Sequence, residues 1–106
     1  MLPKKKRITK DLFQDIMKNG KTASSPLFTL RYIPSKVGQY AVVAPKTVAK
    51  QAVLRNKLRR KGYSILAKIP QKPSILGIFF YKKEAKQADF QALESDMMAL
   101  LSKIRL

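Results

Sequence analysis

The clearest pattern along the chain is a helical spacing of apolar residues between Pro45 and Ile69. Four apolar residues recur there at intervals of four, seven and four: Leu54, Leu58, Ile65 and Ile69. These intervals place the side chains along one stripe of a helix with about 3.6 residues per turn. The pattern therefore predicts a single helix over Pro45–Ile69 that buries one side.

A shorter amphipathic helix is predicted over Thr9–Asn19. Thr9 is a good N-cap, Asp11 favours the first turn, and Gly20 is typical of a helix end. The predicted apolar face consists of Leu12, Phe13, Ile16 and Met17. Core packing is the simplest role for these four side chains.

The remaining apolar patterns predict three strands and a last helix. Leu27–Ile33 alternates apolar and polar residues, as a half-buried strand does, and Tyr40–Ala44 follows after a turn, so we expect the two to run antiparallel. Ile75–Tyr81 is almost continuously apolar, which favours the middle of a sheet. A helix from about Asp89 to Ile104 follows, with apolar residues at core spacing. The order predicts an α+β sandwich in which a small, mainly antiparallel sheet is packed with helices.

Two expectations concern the long helix in detail. Gly62 lies inside it at a cost of about 1 kcal/mol relative to alanine, which points to a bend or a close backbone contact there. Strand, helix and apolar strand together form a βαβ crossover that holds the helix at both ends.

The distribution of charge along the chain indicates what the exposed side of the long helix contacts. The chain of 106 residues carries a formal net charge of +17, from 23 Lys and Arg against 6 Asp and Glu. Residues 16–83 contain fifteen of these cations and no acid. A strip of lysines lines one flank of the long helix (Lys50, Lys57, Lys61 and Lys68), and a second group gathers on another flank (Arg55, Asn56, Arg59 and Arg60). Arg55 and Arg59 lie off the apolar stripe, so we expect them to contribute little to folding.

Such a helix favours contact with a polyanion, first nucleic acid and second an anionic membrane surface. The alternative is a merely solvated basic face. A solvated face tuned for stability would include acids for pairs four residues apart, and this segment has none.

Composition also bounds the chemistry. Cysteine and histidine are absent, which excludes disulfides, cysteine nucleophiles, histidine bases and the usual zinc sites. The length suits a single domain over residues 1–106. No apolar run approaches the roughly 18 residues of a membrane span, so we expect a soluble protein of the cytoplasm.

Residues 1–8 open the chain with four consecutive cations in the sequence MLPKKKRI. A short basic run of this kind resembles a nuclear localisation signal. It lies directly beside the predicted domain, so we favour an arm that contacts phosphates.

The motifs around the long helix resemble those of the bacterial ribonuclease P protein component. The strongest match is AVLRNKLRR at Ala52–Arg60, supported by RITKDLFQDIMKNGK at Arg7–Lys21, VVAPK before the helix and IFFYKKEA near the last strand. The family often continues with Arg-Glu after the basic pair, where this chain has Tyr63 and Ser64.

The resemblance implies a fold and a division of labour. The fold is a ribosomal protein S5 domain 2-like sandwich with a left-handed βαβ crossover. In the family an RNA subunit, not the protein, removes the 5′ leader from precursor tRNA with Mg²⁺. No catalytic or metal-ligating residue is therefore expected in this chain.

The resemblance also implies two binding surfaces. The RNA-binding residues expected from it and from the basic helix are Lys46, Lys50, Arg55, Asn56, Lys57, Arg59 and Arg60. The 5′ leader is expected in a cleft between the first helix and the sheet, bordered by Phe13, Met17, Phe28 and Tyr32. Aromatic side chains of this kind can stack on unpaired bases.

Two other classes of function stay open at this point. A ribosomal or other structural RNA-binding protein is equally basic and uses similar small α+β folds. A membrane-surface binder needs a wide apolar stripe, and the long helix has a narrow one that the core requires.

Overall fold

The computed structural model describes residues 10–36, 38–69 and 74–104. The helices are α1 (Lys10–Asn19), α2 (Ala52–Lys68) and α3 (Phe90–Ser102), with a short 3₁₀ helix at Lys83–Gln87. The strands are β1 (Lys21–Ser24), β2 (Phe28–Pro34), β3 (Gln39–Val43) and β4 (Ile75–Tyr81). The predicted basic arm at residues 1–8, the Thr9 cap and most of the break after α2 lie outside the described residues.

The four strands form one mixed sheet in the order β1-β2-β4-β3. β2 is antiparallel to both β1 and β4, whereas β3 and β4 are parallel. The crossover from β3 to β4 runs through α2, as the order of strand, basic helix and strand predicts. The predicted α+β class and the mainly antiparallel sheet are confirmed.

β4 lies inside the sheet, as its apolar sequence predicts. Six of its seven residues are buried, because helices cover both faces of the sheet at this strand. β3 runs antiparallel to β2 but is not its neighbour, since β4 lies between them. The connection between the two strands, residues 35–38, is short enough for a hairpin with direct pairing. The apolar strand takes the inner place because it is the one that gains most from burial on both faces. β1 was not predicted from the sequence.

The two faces of the sheet carry separate apolar clusters. α1 covers one face, where Ile16 is fully buried with Ala41, Leu76 and Ile78. α2 and α3 cover the other face over a larger core that includes Phe28, Leu30, Tyr40, Val42, Phe79 and Tyr81. The sheet is therefore the middle of three layers.

α2 differs from its prediction at the N-terminal end. It begins at Ala52, not at Pro45, and Leu54 on the predicted stripe keeps 38% of its surface exposed. The buried residues are Gly62, Tyr63, Ile65 and Leu66, with Ile69 just after the last turn. The C-terminal half of α2 therefore packs on the core, and the N-terminal half extends beyond it.

Gly62 confirms the predicted close contact. A Cβ atom at this position would lie 2.7 Å from Cγ1 of Val42 and 3.3 Å from the hydroxyl of Tyr81. Only glycine lets the helix backbone come this close to the sheet. α2 is thus fixed against β3 and β4 at its middle.

α3 is a core helix, as its spacing predicts. Leu93, Met97 and Leu100 are fully buried. Asp89 caps the helix by accepting a hydrogen bond from the backbone nitrogen of Ala92 at 2.7 Å. Among the described residues, no helix is long and apolar enough to cross a membrane.

Candidate nucleic-acid interface

A turn between β3 and α2 carries the first two predicted RNA-binding residues. The backbone nitrogens of Val48 and Ala49 donate to the carbonyl oxygen of Pro45 at 3.0 and 3.2 Å. Val48 and Ala49 are buried beneath the turn, whereas Lys46 and Lys50 are exposed. Both lysines therefore belong to a turn outside the helix, not to the helix on which the sequence placed them.

Arg55 holds this turn to the helix. Its Nη1 donates to the carbonyl oxygens of Ala49 and Lys50, at 3.1 and 2.7 Å. The side chain is half-buried. These contacts argue against the expectation that Arg55 contributes little to folding, because its guanidinium satisfies two backbone carbonyls that precede the helix.

Asn56 follows Arg55 directly, and Arg59 lies one turn further along the same flank. Nη1 of Arg59 is 3.5 Å from Oδ1 of Asn56, at the long limit of a hydrogen bond. Both residues are exposed. The amide thus orients the guanidinium while leaving most of its donors available to a partner.

An open groove of about 470 Å³ joins this flank to α1. α1 contributes Phe13, β3 contributes the floor, and α2 contributes the opposite wall. Its lining residues are Phe13, Ala41, Val42, Val43, Ala44, Ala52, Arg55, Asn56, Arg59 and Tyr63. We call it the α1–α2 groove. It places an aromatic side chain opposite two guanidinium groups.

Tyr63 lies at the base of the α1–α2 groove, where the family pattern would have a charged residue. Its hydroxyl accepts a hydrogen bond from the backbone nitrogen of Val42 at 3.3 Å. Val42 is on β3, an edge strand of the sheet. Tyr63 therefore satisfies a backbone donor on that edge and is buried rather than offered to a partner.

Tyr81 fixes α2 from the sheet side. Its hydroxyl donates to the carbonyl oxygen of Leu58 at 2.7 Å. Burial raises the pKa of the Tyr81 hydroxyl far above its usual range, and it does the same to the pKa of Tyr40. Both side chains therefore stay protonated and act as structural groups.

Lys57 and Arg60 lie on a different side of α2 from Arg55, Asn56 and Arg59. They line a second cavity together with Val53, Leu54 and Phe90. The seven predicted RNA-binding residues thus form three sets, on the turn, on the α1–α2 groove and on the far flank of α2. One helix presents cations in more than one direction.

Four residues were predicted to border the leader cleft beside α1, and the prediction is wrong for Phe28 and Tyr32. Phe28 is fully buried on the opposite face of the sheet, where its ring packs against Phe79 and Tyr81 with centroids 5.8 and 4.8 Å apart. Tyr32 packs against the same core. Alternation along β2 separates these residues from Thr29 and Arg31, which face α1. Alternation in the sequence distinguishes the two faces of a strand but not which helix covers each.

Phe13 and Met17 do lie on α1. Phe13 is half-buried against the cluster under that helix and lines the α1–α2 groove. Met17 keeps 40% of its surface exposed and is not among the groove residues. Phe13 is therefore the one member of the predicted leader set that reaches the basic helix.

Arg31 is a positioning residue that the sequence reasoning missed. Its Nη2 donates to the carbonyl oxygens of Met17 at 2.8 Å and Gly20 at 3.3 Å, and its Nη1 donates to Oγ1 of Thr22 at 3.1 Å. A cation at the C-terminal end of a helix complements the helix dipole. The signal in the sequence was a lone arginine on the polar side of β2.

Several acids have structural partners. Oδ2 of Asp96 accepts hydrogen bonds from Oγ of Ser25 at 2.5 Å and from the backbone nitrogen of Leu27 at 3.1 Å. Oδ1 of Asp15 accepts from Nδ2 of Asn19 at 2.8 Å. Across residues 10–36, 38–69 and 74–104, no group of three or more His, Cys, Asp or Glu could hold a metal ion.

Comparisons with known proteins agree with the sequence motifs. The family model for ribonuclease P matches residues 2–105. The ribonuclease P protein component of a Nitratiruptor species is 34% identical over 98 residues, covering 92% of this chain and 89% of that protein.

Solved structures of low sequence identity share the fold. The RNase P protein from Thermotoga maritima aligns with a TM-score of 0.81 at 21% identity, covering 94% of this chain and 98% of that one. A Staphylococcus aureus RNase P protein mutant, described as defective in mRNA degradation activity, aligns with a TM-score of 0.83 at 22% identity, covering 94% and 88%.

The family match spans nearly the whole chain, and it includes Arg55, Asn56 and Arg59, which line the α1–α2 groove. The relative at 34% identity is matched over most of both lengths. The chain therefore belongs to the ribonuclease P protein family.

Proposed function

We propose that this chain is the protein subunit of a ribonuclease P. It binds the RNA subunit and the 5′ leader of precursor tRNA, and it supports Mg²⁺-dependent removal of the leader in the cytoplasm. The observation that carries the proposal is the α1–α2 groove, which brings Phe13 together with Arg55, Asn56 and Arg59.

The chemistry of this groove suits RNA. Arg59 in the groove and the exposed Lys46 and Lys50 on the adjoining turn can neutralise phosphates. Arg55 holds that turn through its two backbone carbonyl contacts. Phe13 offers a ring edge or face to an unpaired base. A single-stranded leader, with bases free to leave the stack, can use both kinds of contact at once.

We assign the cleavage chemistry to the RNA partner. Asp89 caps α3, Asp96 holds the turn before β2, and Asp15 accepts a hydrogen bond on α1. These roles explain three of the six carboxylates without any catalytic function. The catalytic Mg²⁺ ions are accordingly proposed to be held mainly by RNA, and the protein contributes positive charge that reduces repulsion between two large polyanions.

The test is reconstitution with a bacterial ribonuclease P RNA. Precursor tRNA with a 5′ leader is incubated at low magnesium with the RNA alone, with the protein alone and with both. We expect efficient cleavage only with both. Absence of stimulation by the protein, together with copurification of ribosomal RNA from cells, would refute the proposal.

A further inference from the structure

The flank of α2 that faces away from the α1–α2 groove forms a second open cavity. It has a volume of about 400 Å³ and lies between α2 and the start of α3, where Phe90 forms its end. A smaller cavity of about 240 Å³ adjoins it and shares Leu54, Lys57 and Lys61. We call the two together the α2–α3 trough.

The floor of the trough is apolar and exposed. Val53 keeps 73% of its surface exposed and Leu54 keeps 38%, on the first turn of a helix whose own core contacts begin further along. Phe90 and Leu58 are half-buried beside them. The larger cavity falls within the size range of sites for small organic groups, about 300–1,000 Å³.

The rim of the trough is cationic. Lys57, Arg60 and Lys61 come from α2, and Lys86 from the 3₁₀ helix extends the rim at the far end. Nζ of Lys68 lies 4.9 Å from the centroid of the Phe90 ring. None of the described residues that line the trough is acidic.

Charge complementarity selects the occupant. A second copy of this chain would bring another +17 toward the same cations. Duplex RNA offers phosphates, but its bases are stacked inside and cannot reach an apolar floor. An unpaired stretch of RNA offers both phosphates for the rim and flat apolar bases for Val53, Leu54 and Phe90.

We propose that the α2–α3 trough is a second RNA-binding site, one that takes unpaired nucleotides. The inference rests on the proposed function and extends it, since α2 then lies between two RNA segments. Arg55, Asn56 and Arg59 contact one segment, and Lys57 and Lys61 contact the other. At least one base packs on the apolar floor.

The experiment measures binding of the full chain to a short fluorescein-labelled oligouridylate and to its duplex with oligoadenylate. The double variant Val53→Ser, Leu54→Ser removes the floor without changing charge. We expect it to weaken single-strand binding about tenfold, as for losing one stacked base, and to leave duplex binding nearly unchanged. Because both side chains are exposed, folding is expected to persist; if circular dichroism shows otherwise, Val53→Ser alone is used.

A matched pair tests the rim. Lys57→Gln with Lys61→Gln is compared with Lys83→Gln with Lys103→Gln, which removes the same charge from exposed positions outside both grooves. We expect the first pair to weaken single-strand binding and the second to leave it nearly unchanged. Equal losses would mean that only net charge matters and would overturn the proposal.

Photo-crosslinking separates this proposal from the proposed function. An oligouridylate containing 5-iodouridine is crosslinked to the full chain, and the modified peptides are mapped. We expect crosslinks at the peptide with Phe90 that disappear in the Val53, Leu54 variant, and crosslinks at the peptide with Phe13 that persist.

Three outcomes would overturn the second site. Crosslinks at the Phe13 peptide alone would leave the proposed function standing and remove the trough. No RNA binding at all would remove both. Displacement of oligouridylate from the Phe90 peptide by polyglutamate, at the same efficiency as by unlabelled oligouridylate, would assign the trough to acidic proteins instead.

Discussion

Nη1 of Arg55 lies 2.7 Å from the carbonyl oxygen of Lys50. A residue of the helix thereby holds the turn that precedes the same helix. The contact makes Arg55 a link between two parts of the interface, because the turn also carries Lys46. The basic motif of α2 is thus partly occupied with internal contacts before any partner arrives.

The first prediction compares Arg55 with Arg59. Arg55→Ala should lower the free energy of unfolding by about 1 kcal/mol, because it removes charge-assisted hydrogen bonds at a half-buried position. It should also weaken assembly with a ribonuclease P RNA, since the turn loses its anchor. Chemical denaturation and RNA filter binding measure the two effects.

Arg59→Ala is the matched control, with the same change of charge one helical turn away. It should weaken RNA assembly by about 1–3 kcal/mol and leave unfolding unchanged, since among the described residues its guanidinium bonds only to the exposed Asn56 side chain, at 3.5 Å. If both variants destabilise the protein equally, the turn does not depend on Arg55.

The second prediction concerns salt. If about six phosphates are neutralised, affinity for the RNA subunit should fall roughly a thousandfold or more between 50 and 200 mM salt. Binding titrations across that range give the slope. A nearly flat dependence would show that the basic surface is not the contact.

The third prediction concerns Phe13 in the α1–α2 groove. Phe13→Ala should weaken binding of precursor tRNA to the reconstituted enzyme more than binding of mature tRNA, because only the precursor has a leader to contact the ring. The ratio of the two dissociation constants is the measurement.

Ile16→Val provides the control on the same helix. Ile16 is fully buried, so this variant should cost about 0.5–1.5 kcal/mol of stability without changing the ratio. If Phe13→Ala also leaves the ratio of the two dissociation constants unchanged, Phe13 has a packing role and does not contact the leader.

The fourth prediction is that no carboxylate of this chain carries out the cleavage. The acids are Asp11, Asp15, Glu84, Asp89, Glu94 and Asp96. Changing each to its amide should leave the maximal rate within about tenfold, whereas a true general base or metal ligand would cost about a hundredfold or more. Single-turnover cleavage with saturating RNA subunit is the assay, with RNA binding as the check on assembly. One variant that assembles but does not cleave would contradict the prediction.

The fifth prediction uses the buried tyrosine at the sheet. Burial raises the pKa of Tyr81 above its ordinary value of 10.0, so the folded state holds that proton more tightly than the unfolded state. The protonated Tyr81 hydroxyl therefore contributes its full stabilisation of the folded state below about pH 10, and this contribution is lost as the pH rises above that value. The difference in unfolding free energy between the native protein and Tyr81→Phe should therefore shrink with rising alkalinity. Lysine titration affects both proteins alike, so a constant difference would contradict the assignment.

Local patterns were sufficient for much of this protein. The apolar run at Ile75–Tyr81 placed a strand inside the sheet, the spacing in the last helix identified a core helix, and Gly62 marked a close contact. Each of these depends on the burial of neighbouring residues, which a short stretch of sequence encodes directly. The AVLRNKLRR motif identified the family because its residues are consecutive in the sequence, so no tertiary contact is needed to recognise it.

The tertiary structure decided which helices and strands pack against one another. Alternation along β2 indicated two faces, but only the packing of α1 on one and of α2 and α3 on the other separated Phe13 from Phe28. The insertion of β4 between β2 and β3 joined strands distant in sequence. Arg31 and Arg55 bind backbone carbonyls of neighbouring segments, and no periodic pattern records such bonds, because they depend on where two segments meet in space. The sequence determined what each segment buries, and the fold decided which segments share a surface.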